Sequence, residues 1–171
     1  MLNRQEIRRL IREKGLIGDF CDLEAQLTPN GFDLTAGRVY EFKGPGRLDF
    51  SNKERELPEA GEIAARKTSP ADKSGWWELP PGVYKIIANE TVKLPLDLIG
   101  MAFTRSSLLR MGAFVQTGVW DAGFSGKSEF ILVVNNPAGI KIKQNARVTQ
   151  LIFTRITETE SGYNGIYQNK A

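Results

Sequence analysis

The apolar positions of this chain form one helical stretch and then a series of short runs. In residues 3–14, NRQEIRRLIREK, Ile7, Leu10 and Ile11 recur at three- and four-residue spacing with Leu2 just ahead, which predicts one amphipathic helix within 1–15. Asn3 and Glu6 have the spacing of a capping box, and Gly15 stands just past the end, where a helix commonly turns left-handed. Beyond it the period shortens. RVYEF (38–42), GVYKIIA (82–88), AFVQT (113–117), EFILVV (129–134), GIKIK (139–143) and VTQLIF (148–153) are rich in β-branched and aromatic residues and are separated by Gly, Pro or Asn. That rhythm predicts an all-β fold, a barrel or a sandwich. SSLLRMG (106–112) reads as one short helical turn ended by Gly112.

Two stretches break the pattern. Residues 51–75 are polar and carry Pro and Gly, so they read as a long surface excursion with no role in a site. Residues 158–171, ETESGYNGIYQNKA, hold too few apolar side chains to pack alone, yet they carry Tyr163, Tyr167 and Gln168. Aromatics on such a tail suit a flexible flap that folds over a ligand, with a neighbouring subunit as its expected platform.

At 171 residues the chain suits a single domain with its own core. Its one cysteine, Cys21, has no partner for an intramolecular disulfide, and the start does not read as a signal peptide, so a cytoplasmic protein is expected. The longest apolar run, FILVV, has the length of a strand, and no membrane association is expected. The chain contains no histidine. That excludes a Ser-His-Asp triad and any His-built zinc site, and leaves carboxylates, hydroxyls and cations to do chemistry. Residues 101–171 hold 8 Lys and Arg against 4 Asp and Glu. Such an excess suits a small polyanion rather than a long nucleic acid, which usually meets a stripe of cations.

Four places can carry that chemistry. Arg105, Ser106, Ser107 and Arg110 lie within six residues; on a helical turn they form a phosphate cradle, the plainer alternative being Ser106 as an N-cap and Arg110 as a solvated charge. Gln150 sits among Val, Leu, Ile and Phe, so its amide meets water on an edge strand, a partner, or a ligand. Asp121 precedes Ala-Gly, where it is either turn chemistry or a free carboxylate, and Phe124 is either core or a flat wall for a sugar or base.

The order of these pieces is similar to that of the dCTP deaminase and dUTP diphosphatase superfamily. The resemblance runs through GFDLTAG (31–37), ETVKLPLDLIGMAFTRSSLLRMG (90–112), GVWDAGFSG (118–126), ARVTQLIF (146–153) and the tail Tyr163 to Gln168. It implies a distorted β-barrel, a homotrimer, and a deoxynucleoside triphosphate bound with Mg2+ between subunits. It further implies that Arg105, Ser106, Ser107, Arg110 and Gln150 hold the triphosphate. Gln116, Thr117, Gly118, Val119 and Trp120 would read the pyrimidine, largely through backbone groups, and Phe124 would select deoxyribose. Asp121 would activate water, and Tyr163 and Gln168 would belong to the closing flap. No residues of the protein would form a metal cage.

Deaminases of this superfamily place a glutamate ten residues after that aspartate; here the position holds Ile131, and a one-residue shift brings Leu132. Glu129 lies on the same strand face, two residues short, about 6 to 7 Å away. The expectation is therefore dUTP hydrolysis to dUMP and pyrophosphate, as in the archaeal-type diphosphatases. The alternatives are a dCTP deaminase, a bifunctional enzyme, or a catalytically silent nucleotide-binding trimer.

Overall fold

In the computed structural model, which describes residues 1–170, the capping pair forms as its spacing predicts. Helix α1 (Arg4–Lys14) opens with Asn3 accepting from the Glu6 N–H and Glu6 accepting from the Asn3 N–H, and it ends on Gly15 at φ 65°. Its stripe of Ile7, Leu10 and Ile11 turns inward. Strand β1 (Ile17–Gly18), helix α2 (Leu23–Gln26) and β2 (Leu27–Thr28) lead to the long β3 (Gly31–Phe42). Next come β4 (Ala60–Glu62), β5 (Trp76–Leu79), β6 (Gly82–Lys93), β7 (Leu98–Thr104), α3 (Ser106–Arg110) and β8 (Ala113–Gln116). The last strands are β9 (Ser125–Val134), β10 (Ile140–Lys143) and β11 (Arg147–Arg155). Among the described residues no helix is long and apolar enough to cross a membrane.

The main sheet runs β7-β11-β3-β6-β9-β8 with antiparallel neighbours. Its two ends are then stitched together. Thr104 on β7 donates its hydroxyl to the Val115 carbonyl on β8 and accepts from the Val115 N–H, both at 2.9 Å. Gly100 and Trp120 exchange two backbone hydrogen bonds at 2.9 Å. The sheet thus curls into a nearly closed barrel around Phe32, Leu34, Ile86, Leu98, Leu132, Leu151 and Phe153, all fully buried. β5 and β10 form a separate ribbon.

The expected strands are all present, but β3 begins at Gly31, well before the RVYEF run, and β5 and β7 were not foreseen. Two of them break the alternation: Asp33 is buried in β3 and Gly100 interrupts β7. The excursion is also more regular than its composition implies. β4 pairs with β3, Arg47 and Glu56 bond reciprocally at 2.8 Å, and Arg66 pairs with Trp76. Edge pairing, rather than an apolar core, orders this arm.

One polar residue stands out inside the barrel. A register irregularity in β6 between Ile87 and Thr91 accompanies a Glu90 with no exposed surface. Its carboxylate accepts from the Thr35 N–H (2.9 Å), the Thr35 hydroxyl (2.7 Å) and Gln26 Nε2 (2.7 Å), tying α2 and β3 to β6. Burial raises this carboxyl above its ordinary 4.5, and the hydrogen bonds only partly oppose that. A carboxyl so raised stabilises the fold most when protonated, and that contribution is lost as pH rises through its folded value. Glu90→Ala orphans these donors and should cost about 3 kcal/mol or more in urea unfolding. Relative to Glu90→Gln, the wild type should lose stability as pH rises above 4.5; a pH-independent difference contradicts the buried ionisation.

Candidate active site

The loop between β8 and β9 folds back because Trp120 is held at both ends. Its backbone pairs with Gly100, and its buried indole donates to Ser128 Oγ at 2.8 Å. Gly100 eases this approach, since a Cβ would sit tightly, 3.2 Å from Trp120 Cβ and 3.1 Å from Leu151 Cδ1. Trp120 therefore lays Gly118, Val119 and Asp121 alongside β9. Between this loop and the sheet opens a cavity of about 400 Å³.

Asp121 stands exposed on the cavity wall. The turn it begins is closed by the backbone, the Phe124 N–H donating to the Asp121 carbonyl at 3.1 Å. The carboxylate is thus not what closes the turn. Phe124 is both of the things its sequence context allows: nearly buried, and a wall of the cavity, with Tyr163 edge-on at a centroid distance of 5.7 Å.

Six of the sequence-derived site residues line this cavity: Gly118, Val119, Trp120, Asp121, Phe124 and Tyr163. Gln116 and Thr117 lie just outside it, the Gln116 amide donating to the Thr117 carbonyl. Gln168 does not line it either; it braces the tail by accepting from the Ser125 N–H and donating to the Gly123 carbonyl, both at 2.9 Å.

The tail's platform also differs from expectation, because it lies on its own chain. β8 pairs only with the far half of β9, residues 131–134, which leaves the near half with unpaired backbone groups on that side. The tail takes them up: the Asn169 N–H donates to Ser125 O and the Lys127 N–H to Lys170 O, while in the loop before β9 the Tyr163 N–H donates to Ala122 O. Gly123, at φ 80°, allows the closest approach, since a Cβ there would meet Gly162 Cα at 2.6 Å.

Arg105, Ser106, Ser107, Arg110 and Gln150 gather elsewhere and line no part of the cavity. The N-cap of α3 is Arg105, not Ser106, and no side chain caps the helix; Ser106, Ser107 and Arg110 are exposed. Arg105 is anchored by Asp33, whose carboxylate is only 2% exposed, lies 3.0 Å from Arg105 Nε as an ion pair and accepts from Arg147 Nη1 at 3.4 Å. Burial pushes the Asp33 carboxyl up, and the two guanidinium groups oppose it. One carboxylate facing two guanidinium groups leaves a net positive surface beside α3, suited to an anion. Gln150 stands opposite Asp33 in the register, and its amide donates to Thr28 Oγ1 at 2.6 Å, so a hydroxyl partner answers the question its apolar strand raised.

Sequence reasoning missed Asp33 as the anchor of Arg105, although a charged residue within GFDLTAG was a visible signal. It also missed Lys85, Lys127 and Lys170 on the cavity wall, and Phe42, Leu57 and Pro58, which bring the arm to the site; Tyr167, noted on the tail, lines it too. The excursion therefore does have a part in the cavity. Among the described residues no three His, Cys, Asp or Glu side chains converge on a metal position.

A family model described as dCTP deaminase-like matches residues 1–156. A probable deoxyuridine 5'-triphosphate nucleotidohydrolase of Archaeoglobus fulgidus is 46% identical over 170 residues, 99% of this chain and 96% of its own length. The protein of the same name in Methanosarcina mazei is 46% identical over 172 residues, 99% of this chain and 97% of its own. The deoxyuridine 5'-triphosphate nucleotidohydrolase of Methanocaldococcus jannaschii is 35% identical, covering 86% of this chain and 90% of its own. Among solved structures, the 2'-deoxycytidine 5'-triphosphate deaminase of Agrobacterium tumefaciens shares the fold, with a TM-score of 0.62 and 22% identity. The match covers 91% of this chain and 47% of that one, so this chain spans about half the deaminase's length. With the model matching from Met1 to just beyond β11, and such identity along nearly the whole length, the chain belongs to the dCTP deaminase-like family.

Proposed function

We propose that the chain hydrolyses dUTP to dUMP and pyrophosphate, the activity that the names of its relatives at 46% identity give to them. The observation that carries this reading is the pairing of an exposed Asp121 on the cavity wall with Ile131, a hydrocarbon side chain, ten residues on. Attack at phosphorus needs a base near the sugar and phosphates; attack at the pyrimidine C4 needs one beside the ring. Asp121 offers the first. Glu129 is a poor candidate for the second, since Lys85 Nζ lies 3.4 Å from its carboxylate.

In this reading the loop backbone of Gly118 to Trp120 receives the base, and Phe124 packs under the deoxyribose. Asp121 takes a proton from the water that attacks the α-phosphorus. Arg105, held by Asp33, and Ser106, Ser107 and Arg110 bind the triphosphate, with Gln150 beside them. Mg2+ would arrive with the triphosphate, held mainly by its oxygens, and would offset their charge. Tyr163 and Gln168 close the tail over the site. The phosphate-binding group lies off the cavity of its own chain, which supports a homotrimer whose sites are completed by neighbouring subunits. Cytoplasmic location and a soluble nucleotide substrate fit the same reading.

Asp121→Asn should keep dUTP binding and assembly while turnover falls by roughly 100-fold or more, the scale of a general base. Steady-state kinetics with calorimetric binding checks this; near wild-type turnover removes Asp121 from the role. Arg110→Ala and Asp121→Asn chains should each be nearly inactive alone, yet recover activity when refolded together, with light scattering reporting three copies. A monomer with full activity, or no recovery in mixed assemblies, contradicts the shared site.

A further inference from the structure

The cavity wall facing the 117–124 loop carries an ion pair for which the hydrolysis has no use. Lys85 on β6 and Ile131 on β9 are direct cross-strand partners, so their side chains share a face; Glu129 lies on that face two residues along. All three line the cavity. The ammonium is held from two sides. Glu129 Oε2 lies 3.4 Å from Lys85 Nζ, and the face of the Tyr40 ring stands 4.8 Å from it by centroid. Tyr40 is fixed in turn by donating its hydroxyl to Glu62 at 3.0 Å. A lysine kept from wandering in this way is a donor at a set position.

For a pyrimidine bound between the loop and β9 with its C4 edge toward Ile131, the exocyclic C4 substituent meets this wall. Uracil carries an oxygen there, an acceptor; cytosine carries an amino group, a donor. An ammonium has donors only. It therefore satisfies O4 and confronts N4 with like polarity, and a site that leaves polar groups unpaired rejects the wrong substrate far more strongly than a hydrocarbon wall does. We propose that Lys85 is the specificity-determining residue that admits uracil and turns cytosine away, with Glu129 and Tyr40 as the positioning residues that fix its ammonium. This rests on the reading of the cavity as a deoxyuridine nucleotide site.

The test is calorimetric binding of the non-hydrolysable α,β-imido analogues of dUTP and dCTP, with Mg2+, to the wild type, Lys85→Met and Lys85→Gln. Wild type should prefer the uracil analogue. Lys85→Met should weaken that analogue about tenfold or more, the scale of a hydrogen bond to a charged group, without weakening the cytosine analogue. Lys85→Gln, whose amide offers a donor or an acceptor by turning over, should bring the two affinities close together, and it carries the test should the Met variant melt early. An unchanged preference in both variants, or an equal loss for both analogues, overturns the assignment of Lys85. Failure of the wild type to bind either analogue would instead overturn the nucleotide reading, and the inference with it.

Discussion

The cavity depends on how Trp120 is anchored. The loop between β8 and β9 holds no regular element that could place it by itself. Two backbone bonds to Gly100 fix one side of the tryptophan, and the indole bond to Ser128 fixes the other. Because β7 and β8 are the two ends of the open strand order, the Gly100 pairing also closes the barrel beside the Thr104 stitch. The constraint that shapes the fold is therefore the one that aims Asp121 into solvent and sets the loop at working distance from β9.

The two halves of the proposed site are built by opposite means. Around the cavity, mostly apolar walls surround a few polar groups, and shape dominates. Around Asp33, a buried carboxylate fixes the charged edge of Arg105 and leaves the surface positive. Burying Asp33 without a cation would be costly, so the two arginines and the acid hold each other in place. Such an anchored guanidinium meets a phosphate without first losing the freedom of a long side chain. The same economy appears at Lys85, which a carboxylate and an aromatic face hold in place.

What could be read from the sequence was local. Asn3, Glu6 and Gly15 announce a helix because their partners lie within one turn, and EFILVV announces a strand because its neighbours share its period. Asp121, Phe124 and the Arg105 to Arg110 turn stood out by type and by their order along the chain. Asp33 with Arg105 and Arg147, or Glu90 with Thr35 and Gln26, did not, because each set joins strands distant in sequence and no spacing encodes their meeting. The arm misled for a related reason: its order comes from pairing with the edge of β3, which its polar composition hides. The tail stood out by its tyrosines, but its docking depends on the backbone groups of β9 that the short β8 leaves open.

The central claim is that the reacting centre is phosphorus and not the pyrimidine ring. The most direct measurement follows oxygen from ¹⁸O-labelled water during turnover of dUTP and, separately, of dCTP with Mg2+, reading the products by mass spectrometry. One labelled oxygen in dUMP, unlabelled pyrophosphate and unchanged dCTP are the predicted result. Label at the pyrimidine C4 position, with dCTP converted to a uracil nucleotide, would contradict it.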